Sequence, residues 1–176
     1  MKGVNTLILS FFVLITMSAT AAFGAEKTVK ILAPWQGHGQ VFKVAPDRLK
    51  VVGSFDGIMY IDGGNGDLDA AIFMCPATQR IDLKTKKTVL EADCIIRKGK
   101  DKVAYANMKT EGKVGASQGV FRLVGGEGKW KGISGEGKVV IRTAIGDMAI
   151  NQKTGTVIDA AAGLAVWPAL KVKLPK

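Results

Sequence analysis

The chain has 176 residues, of which 47% are hydrophobic, and it carries a formal net charge of +10. That length is sufficient for one domain with a substantial hydrophobic core. The single histidine excludes a metal site built from several histidines. The lysines are scattered among acidic residues rather than gathered in one block, so the charge by itself does not indicate a dedicated polyanion-binding segment.

Residues 1–24 have the features of a secretory signal peptide. Lys2 supplies the positive n-region, residues 7–17 form the apolar h-region, and Ala22 and Gly24 fit the small-x-small cleavage rule. The apolar run is shorter than the roughly 18–20 residues that a membrane span requires, which disfavours an uncleaved anchor. We therefore predict cleavage after Gly24, one domain over 25–176 without a transmembrane span, and export to the periplasm or the extracellular space.

The remaining chain is a series of predicted strands, rich in Val, Ile, Phe and Tyr and bounded by Gly, Asp, Asn or Lys. Few windows show a helical period, and residues 156–174 could form one more strand or a short helical turn. Such a series fits an antiparallel barrel or a sandwich, and we predict an all-β fold, a single closed antiparallel barrel of about eight strands, because closure removes exposed sheet edges. The predicted strands are 27–33, 49–61, 67–75, 89–97, 102–109, 118–124 and 138–145.

Two stretches contain side chains that could act in catalysis or bind a metal. His38 lies in PWQGHGQ, where the flanking glycines predict an exposed loop, and Ser134 lies in G-I-S-G rather than in a nucleophile elbow. The acidic stretch IDGGNGDLD (61–69) departs from calcium-loop spacing at Leu68. We interpret it as a turn between strands, and we expect neither a metal nor a cofactor.

The two cysteines are placed to pair across a β-hairpin. The polar segment 82–87 predicts a turn, and a hairpin centred there sets Cys75 opposite Cys94. Directly opposed antiparallel residues are within bridging distance, and export favours oxidation. Pro76 removes one ladder donor and could bulge the strand. A structural disulfide is therefore predicted, with two reduced cysteines as the alternative.

Strand alternation separates two faces but does not show which of them points inward. In VLEADCIIR, Leu90, Ala92, Cys94 and Ile96 share one face. An acidic side chain inside an apolar barrel would have a raised pKa and could serve as a general acid or base. The candidates for such a role, together with neighbouring tyrosines, are Asp56, Glu91, Asp93, Tyr60 and Tyr105.

The glycine-rich stretch GGEGKWKGISGEGK (125–138) resembles a phosphate-binding loop only superficially. A P-loop requires Ser or Thr after its lysine, but Val139 occupies that position. A helix must also follow, whereas the next residues, KVVIRTAI, predict a strand. The dinucleotide-binding spacing G-x-G-x-x-G is not met either. Nucleotide binding is therefore not expected, and two glycine turns flanking a short segment are the better interpretation.

Within this stretch, Trp130 and Ile133 can pack the segment between the glycines onto the core. The pattern resembles the G-G-x-G-x-[FYW]-x-G-x-x-G-x-G signature of allene oxide cyclase barrel-like and dirigent-type proteins. That resemblance implies a barrel of eight antiparallel strands that often encloses an apolar pocket. It carries over no catalytic residue, and Glu127 replaces the usual Thr or Ser. The matching residues are Gly125, Gly126, Gly128, Trp130, Gly132, Gly135 and Gly137.

Taken together, these patterns predict an exported, non-enzymatic barrel that binds a small apolar or amphipathic molecule in its mouth. It would be a monomer or a low oligomer. One alternative is a cofactor-free isomerase or cyclase that uses a buried acid or tyrosine. Another is a structural or polyanion-binding surface protein, which requires the lysines to gather on one face.

Overall fold

The computed structural model describes residues 26–144 and 157–174. The signal-peptide prediction for 1–24 lies outside these residues. Within the described ranges the chain forms eight antiparallel strands that close into one barrel, which confirms the predicted fold class. The strands are β1 (Glu26–Ala45), β2 (Arg48–Ile61), β3 (Ala71–Asp82), β4 (Lys87–Lys98), β5 (Lys102–Lys113), β6 (Ala116–Gly128), β7 (Ser134–Thr143) and β8 (Val157–Lys173).

Each strand pairs with the next one along the chain, and β8 returns to pair with β1. Alternate connections therefore lie at the same end of the barrel. The β1–β2, β3–β4 and β5–β6 turns form what we call the open end. The β2–β3, β4–β5 and β6–β7 turns form the closed end. The described part of the chain contains no helix long and apolar enough to cross a membrane.

The barrel interior is filled by alternate residues of every strand, as the period of a β-strand requires. In β4 the buried residues are Thr88, Ala92, Cys94 and Ile96, so the face predicted from VLEADCIIR is the inner one. In β6, Phe121 and Leu123 point inward and Arg122 points outward. The core is therefore one continuous apolar cluster over most of the barrel length.

Cys75 and Cys94 form a disulfide between β3 and β4, with an S–S distance of 2.01 Å and a Cα–Cα distance of 4.1 Å. The predicted hairpin register is correct, because Phe73 pairs with Ile96 and Ala77 pairs with Ala92. The register is the same on both sides of Pro76, so that residue introduces no bulge between β3 and β4. Both sulfurs are buried in the core.

Several strand boundaries differ from the predicted ones. β1 continues to Ala45, which places His38 in a strand and makes the loop prediction for it wrong. β3 begins at Ala71 because the preceding residues form the turn that closes the β2–β3 hairpin. The C-terminal segment is a strand with no helical turn over 157–173. For β1 and the C-terminal strand, pairing with two neighbouring strands outweighs the local preference of the residues.

Two inward glycines allow aromatic rings to lie against the barrel wall. Gly163 of β8 pairs with Trp35 of β1, and a Cβ there would stand 2.6 Å from the indole ring. Gly57 of β2 pairs with Phe73 of β3, and a Cβ there would stand 3.0 Å from the phenyl ring. Glycine in a strand commonly permits such close approach at a bend. The rings thus occupy space that the glycines leave free.

The closed end is filled by three side chains from its turns. Trp130 and Ile133 come from the β6–β7 turn and Leu68 comes from the β2–β3 turn, and all three are buried. The turn starts at Gly128, which has a φ of 59°. Any other residue would clash there, because a Cβ would stand 2.0 Å from the Asp101 carbonyl oxygen. Leu68, which breaks the calcium-loop pattern, therefore has a packing role.

The prediction of two glycine turns in 125–138 is correct only for the first. Gly125, Gly126, Gly128 and Gly132 end β6 and shape the turn, with positive φ at three of them. Gly135 and Gly137, in contrast, lie within β7. A Cβ on Gly135 would stand 2.2 Å from the Lys171 carbonyl oxygen of β8, so the second glycine pair serves close strand contact.

An ion pair covers the Trp130 side chain. Lys102 Nζ lies 2.8 Å from an Asp67 carboxylate oxygen and 5.9 Å from the centre of the Trp130 ring. The Lys102 hydrogen bond is the main factor that lowers the pKa of Asp67. The Trp130 indole N–H also faces this carboxylate and lowers its pKa further, although the contact lacks full hydrogen-bond geometry.

We expect this ion pair to make stability fall in acid. Because the pKa of Asp67 is lower in the folded chain, its contribution is complete above the unfolded value of about 3.9 and is lost as pH falls through the folded value. Urea unfolding at decreasing pH should show a weaker acid dependence in Asp67→Asn than in the wild type. Asp93→Asn, which removes an exposed carboxylate, is the control. Equal acid dependence in wild type and Asp67→Asn would contradict the assignment.

Candidate ligand pocket at the open end of the barrel

The interior of the open half contains a pocket of about 90 Å³ that opens to solvent. Trp35 and Phe55 lie at its base, with their ring centres 5.7 Å apart. A single water needs roughly 10–15 Å³ measured in this way, so the pocket can hold several waters or part of a small organic molecule. Its apolar walls include Val51, Ala77, Leu90 and Ile141.

The pocket exists because the inner positions of the open half carry small residues. The other half of the core contains Phe73, Phe121 and Trp167, and Phe121 packs edge-on against Trp167 at 5.3 Å. Only about 10 Å³ of free space is left among these large side chains. In the open half, by contrast, the pocket is bordered by Gly37, Gly39, Gly53, Ala77 and Ala161.

Uncharged polar groups form a partial belt around the pocket. Gln79 Nε2 donates to Thr88 Oγ1 over 2.7 Å. Ser117 lines the pocket, and its hydroxyl is hydrogen-bonded over 3.0 Å to the hydroxyl of Thr110, which is outside the lining; both residues are buried. These pairs satisfy buried polar atoms that would otherwise be costly. The pocket is therefore mainly apolar with a few neutral polar groups, as is common for small-molecule sites.

Trp35 is the one tryptophan of the three in the chain that borders this pocket. Its indole Nε1 is buried and has no hydrogen-bond partner among the described residues. A buried donor left unsatisfied costs about 1–3 kcal/mol. Because Trp35 lies at the base of the pocket, its indole signal can report on what enters.

Two residues with ionisable side chains border the pocket, His38 and Lys113. His38 lies between Gly37, which is buried, and Gly39, which is half-buried. The His38 side chain itself is exposed on the outer face of β1. Lys113 ends β5 at the rim and is also exposed. The apolar interior of the pocket therefore contains neither side chain as a buried acid or base.

The acids and tyrosines considered for catalysis all lie on the outside of the barrel. Glu91, Asp93 and Tyr60 are exposed, and Asp56 is half-buried on the outer face of β2. The hydrogen bond from Lys109 lowers the pKa of Glu91. None of these residues borders the pocket in the described structure.

Tyr105 is also directed outward, where its hydroxyl donates to a Glu127 carboxylate oxygen over 2.6 Å. This hydrogen bond raises the pKa of the Tyr105 hydroxyl. Glu127, the residue that departs from the resemblance pattern, therefore binds the outer surface of β5. It does not contribute to the pocket.

The open end is strongly basic. In the described residues, the strand ends and turns there carry more cations than acids. Asp47 forms salt bridges with two of the cations: one carboxylate oxygen is 3.9 Å from Arg48 Nε, and the other is 3.5 Å from Lys84 Nζ. The cations are Lys43, Arg48, Lys50, Arg80, Lys84, Lys86, Lys87, Lys113 and Arg142, and the acids are Asp47, Asp82 and Glu111.

Some lysines near the closed end are paired closely with an acid, whereas others there, such as Lys100 and Lys131, are exposed and form no salt bridge with another described residue. Lys30 pairs with Asp62, Lys102 with Asp67 and Lys129 with Asp101 at 2.7–3.0 Å. The two ends differ in their acids, because Glu26, Asp62, Asp67, Asp69 and Asp101 lie near the closed end and Asp47, Asp82 and Glu111 near the open end. The mouth of the pocket lies in the basic part of the surface.

Among the described residues, no group of three or more His, Cys, Asp or Glu side chains is arranged to hold a metal ion. The features that can support a function are therefore the open pocket, its neutral polar belt and its basic rim. Comparisons with protein-family models, curated proteins and solved structures found no match for this chain, so we infer its function from these features.

Proposed function

We propose that this protein is an exported, non-enzymatic binding protein that takes a small apolar or amphipathic molecule into the open end of its barrel. The observation that carries this proposal is the solvent-accessible apolar pocket in a barrel whose other half is filled by large side chains. An eight-stranded barrel with an apolar pocket is also what the resemblance to allene oxide cyclase barrel-like and dirigent-type proteins implies.

The lining of the pocket favours binding over catalysis. A cofactor-free isomerase or cyclase needs an acid, base or tyrosine next to its substrate, but the candidate acids and tyrosines lie on the outer face. The described lining provides an amide and hydroxyls, which can orient a ligand without transferring a proton at neutral pH. The disulfide supports action outside the cytoplasm, where such bonds persist.

A titration with straight-chain alcohols tests the proposal directly. We expect the NMR signal of the Trp35 indole N–H to shift on addition of hexan-1-ol, because Trp35 forms the base of the pocket. The Trp130 indole signal should stay unchanged, since Trp130 lies at the closed end. Equal movement of both signals would indicate a general solvent effect, and no movement of Trp35 would contradict the proposal.

A variant that fills the pocket provides the matched test. Ala77 points inward between Gly53 and Ala92, so Ala77→Leu adds carbon atoms to the pocket space. We expect it to abolish the Trp35 shift. Thr78→Leu adds the same side chain on the exposed outer face of the same strand and should leave the shift intact. If Ala77→Leu shows the same Trp35 shift with hexan-1-ol as the wild type, the alcohol binds outside this pocket.

A further inference from the structure

We propose that the open end of the barrel docks on an anionic lipid surface. The docking surface, which we call the basic apolar rim, consists of cations and exposed apolar side chains from the turns around the pocket mouth. Its cations are Lys43, Arg48, Lys50, Lys84, Lys86, Lys87 and Lys113, and its apolar members are Phe42, Val44 and Leu83.

Backbone hydrogen bonds join the turns of this rim into one continuous surface. The Leu83 N–H donates to the Asp47 carbonyl over 2.8 Å, which connects the β3–β4 turn with the β1–β2 turn. The Val114 N–H donates to the Lys86 carbonyl over 3.0 Å, which connects the β5–β6 turn with the β3–β4 turn. Side chains that are distant in sequence are therefore presented together.

Among the rim lysines Lys84 lies 3.5 Å from an Asp47 carboxylate oxygen, and the others form no salt bridge with another described residue. Lys87 and Lys113 are directly opposed in neighbouring strands, an arrangement that is destabilising for like charges. Neither they nor Lys86 forms a salt bridge with another described residue. Asp82 accepts a hydrogen bond from the Thr85 N–H at 2.7 Å, and Glu111 lies two residue pairs away from the Lys87–Lys113 pair.

The apolar side chains distinguish a lipid surface from a dissolved polyanion. Val44 is 58% exposed, Phe42 is 43% exposed and Leu83 is 39% exposed. Phe42 pairs directly with Lys50, so an apolar and a cationic side chain lie next to each other. Interfacial binding combines such insertion of apolar side chains with attraction of Lys and Arg to anionic headgroups. A polyanion in solution would use only the cations.

Docking in this orientation would place the pocket mouth against the lipid. A small molecule could then pass between the bilayer and the barrel with little exposure to water. Docking does not depend on the proposed ligand binding, since the rim is formed by turns and strand ends. The two proposals can therefore fail independently.

Co-sedimentation with vesicles tests the docking. We expect binding to vesicles of phosphatidylcholine mixed with phosphatidylglycerol, and at least tenfold weaker binding to phosphatidylcholine alone, since each lysine near an anionic surface contributes about fivefold. Added salt should weaken the binding because exposed charges are screened. Equal binding to both vesicle types, or binding to neither, would overturn the proposal.

Charge-matched variants test the site. Lys87→Gln/Lys113→Gln should reduce vesicle binding by at least tenfold, about fivefold for each lysine. Lys100→Gln/Lys131→Gln removes the same charge from exposed positions at the closed end and should change binding by less than about twofold. An equal loss in both variants would mean that only net charge matters, which would overturn the assignment to the rim.

Apolar variants separate lipid from polyanion binding. Val44→Ser/Leu83→Ser should weaken vesicle binding by about fivefold or more, whereas Val124→Ser, at another exposed apolar position, should not. Binding of the first variant to heparin, a dissolved polyanion, serves as the comparison. If vesicle binding is unchanged in Val44→Ser/Leu83→Ser, the rim is a polyanion site and the lipid proposal is wrong. Loss of the Trp35 shift with hexan-1-ol has no bearing on these outcomes.

Discussion

Replacing Trp130 by alanine should lower the free energy of unfolding by about 3–5 kcal/mol, the range for truncating a large buried aromatic residue. Trp130 is 1% exposed, and it closes one end of the barrel with Ile133 and Leu68. Its loss would leave a cavity and would also remove the ring that lies near the Lys102 ammonium group. Urea unfolding followed by circular dichroism measures the change.

Two further variants keep this test interpretable. Trp130→Phe preserves much of the buried area and should show a clearly smaller loss, which provides a measurement if Trp130→Ala does not fold. Lys131→Ala changes the exposed neighbour in the same turn and should stay within about 0.5 kcal/mol of the wild type. A loss below about 1 kcal/mol for Trp130→Ala would contradict its role in closing the barrel.

Removing the disulfide should cost about 3 kcal/mol. Cys75 and Cys94 are separated by 19 positions, and the chain-entropy model gives this magnitude for a loop of that length. The double variant Cys75→Ala/Cys94→Ala should therefore unfold at a lower urea concentration than the oxidised wild type. Because both side chains are buried, a further loss of packing adds to the effect.

A reducing agent separates the two contributions. Reduction should lower the stability of the wild type towards that of Cys75→Ala/Cys94→Ala and should leave the double variant unchanged. Unfolding of the oxidised wild type and the double variant at the same urea concentration would show that the bridge does not stabilise the fold. If the expected loss is found, the chain depends on an oxidising compartment for much of its stability.

The two ends of the barrel illustrate a division between stability and binding. At the closed end, turns contribute buried side chains, and Lys102 and Lys129 each pair with an acid. At the open end, small inner residues leave a pocket and several lysines lack a close acidic partner. A fold whose stability comes mainly from one half can leave the other half free for a ligand and a surface.

Local sequence was sufficient for much of the fold. Alternation in VLEADCIIR grouped the residues that share one face of β4, and the position of one turn predicted the Cys75–Cys94 pairing. These features depend on residues that are near in sequence. The second half of β1 was missed because Pro34 and two glycines have a low strand propensity. There β2 and β8 hold the strand from both sides.

The candidate site could not be read from the sequence in the same way. A run such as PWQGHGQ contains the glycines that border the pocket, but the pattern does not show which glycines point inward after the barrel closes. Glycines at alternate positions, such as Gly37 and Gly39, were the available signal, and they were interpreted as a loop. The basic apolar rim could not be predicted from the sequence for a similar reason, because its lysines belong to three separate turns.

The sequence by itself therefore determined the strand series, the disulfide pair and the packing of Trp130, because each depends on alternation or turn position within a short segment. Only the tertiary structure decided that the glycine-lined half stays open and that the candidate acids face outward. It also decided that several lysines from separate turns lie together at the mouth. The physical reason is that closure of the barrel sets the stagger of eight strands, and that stagger determines which distant side chains share one end.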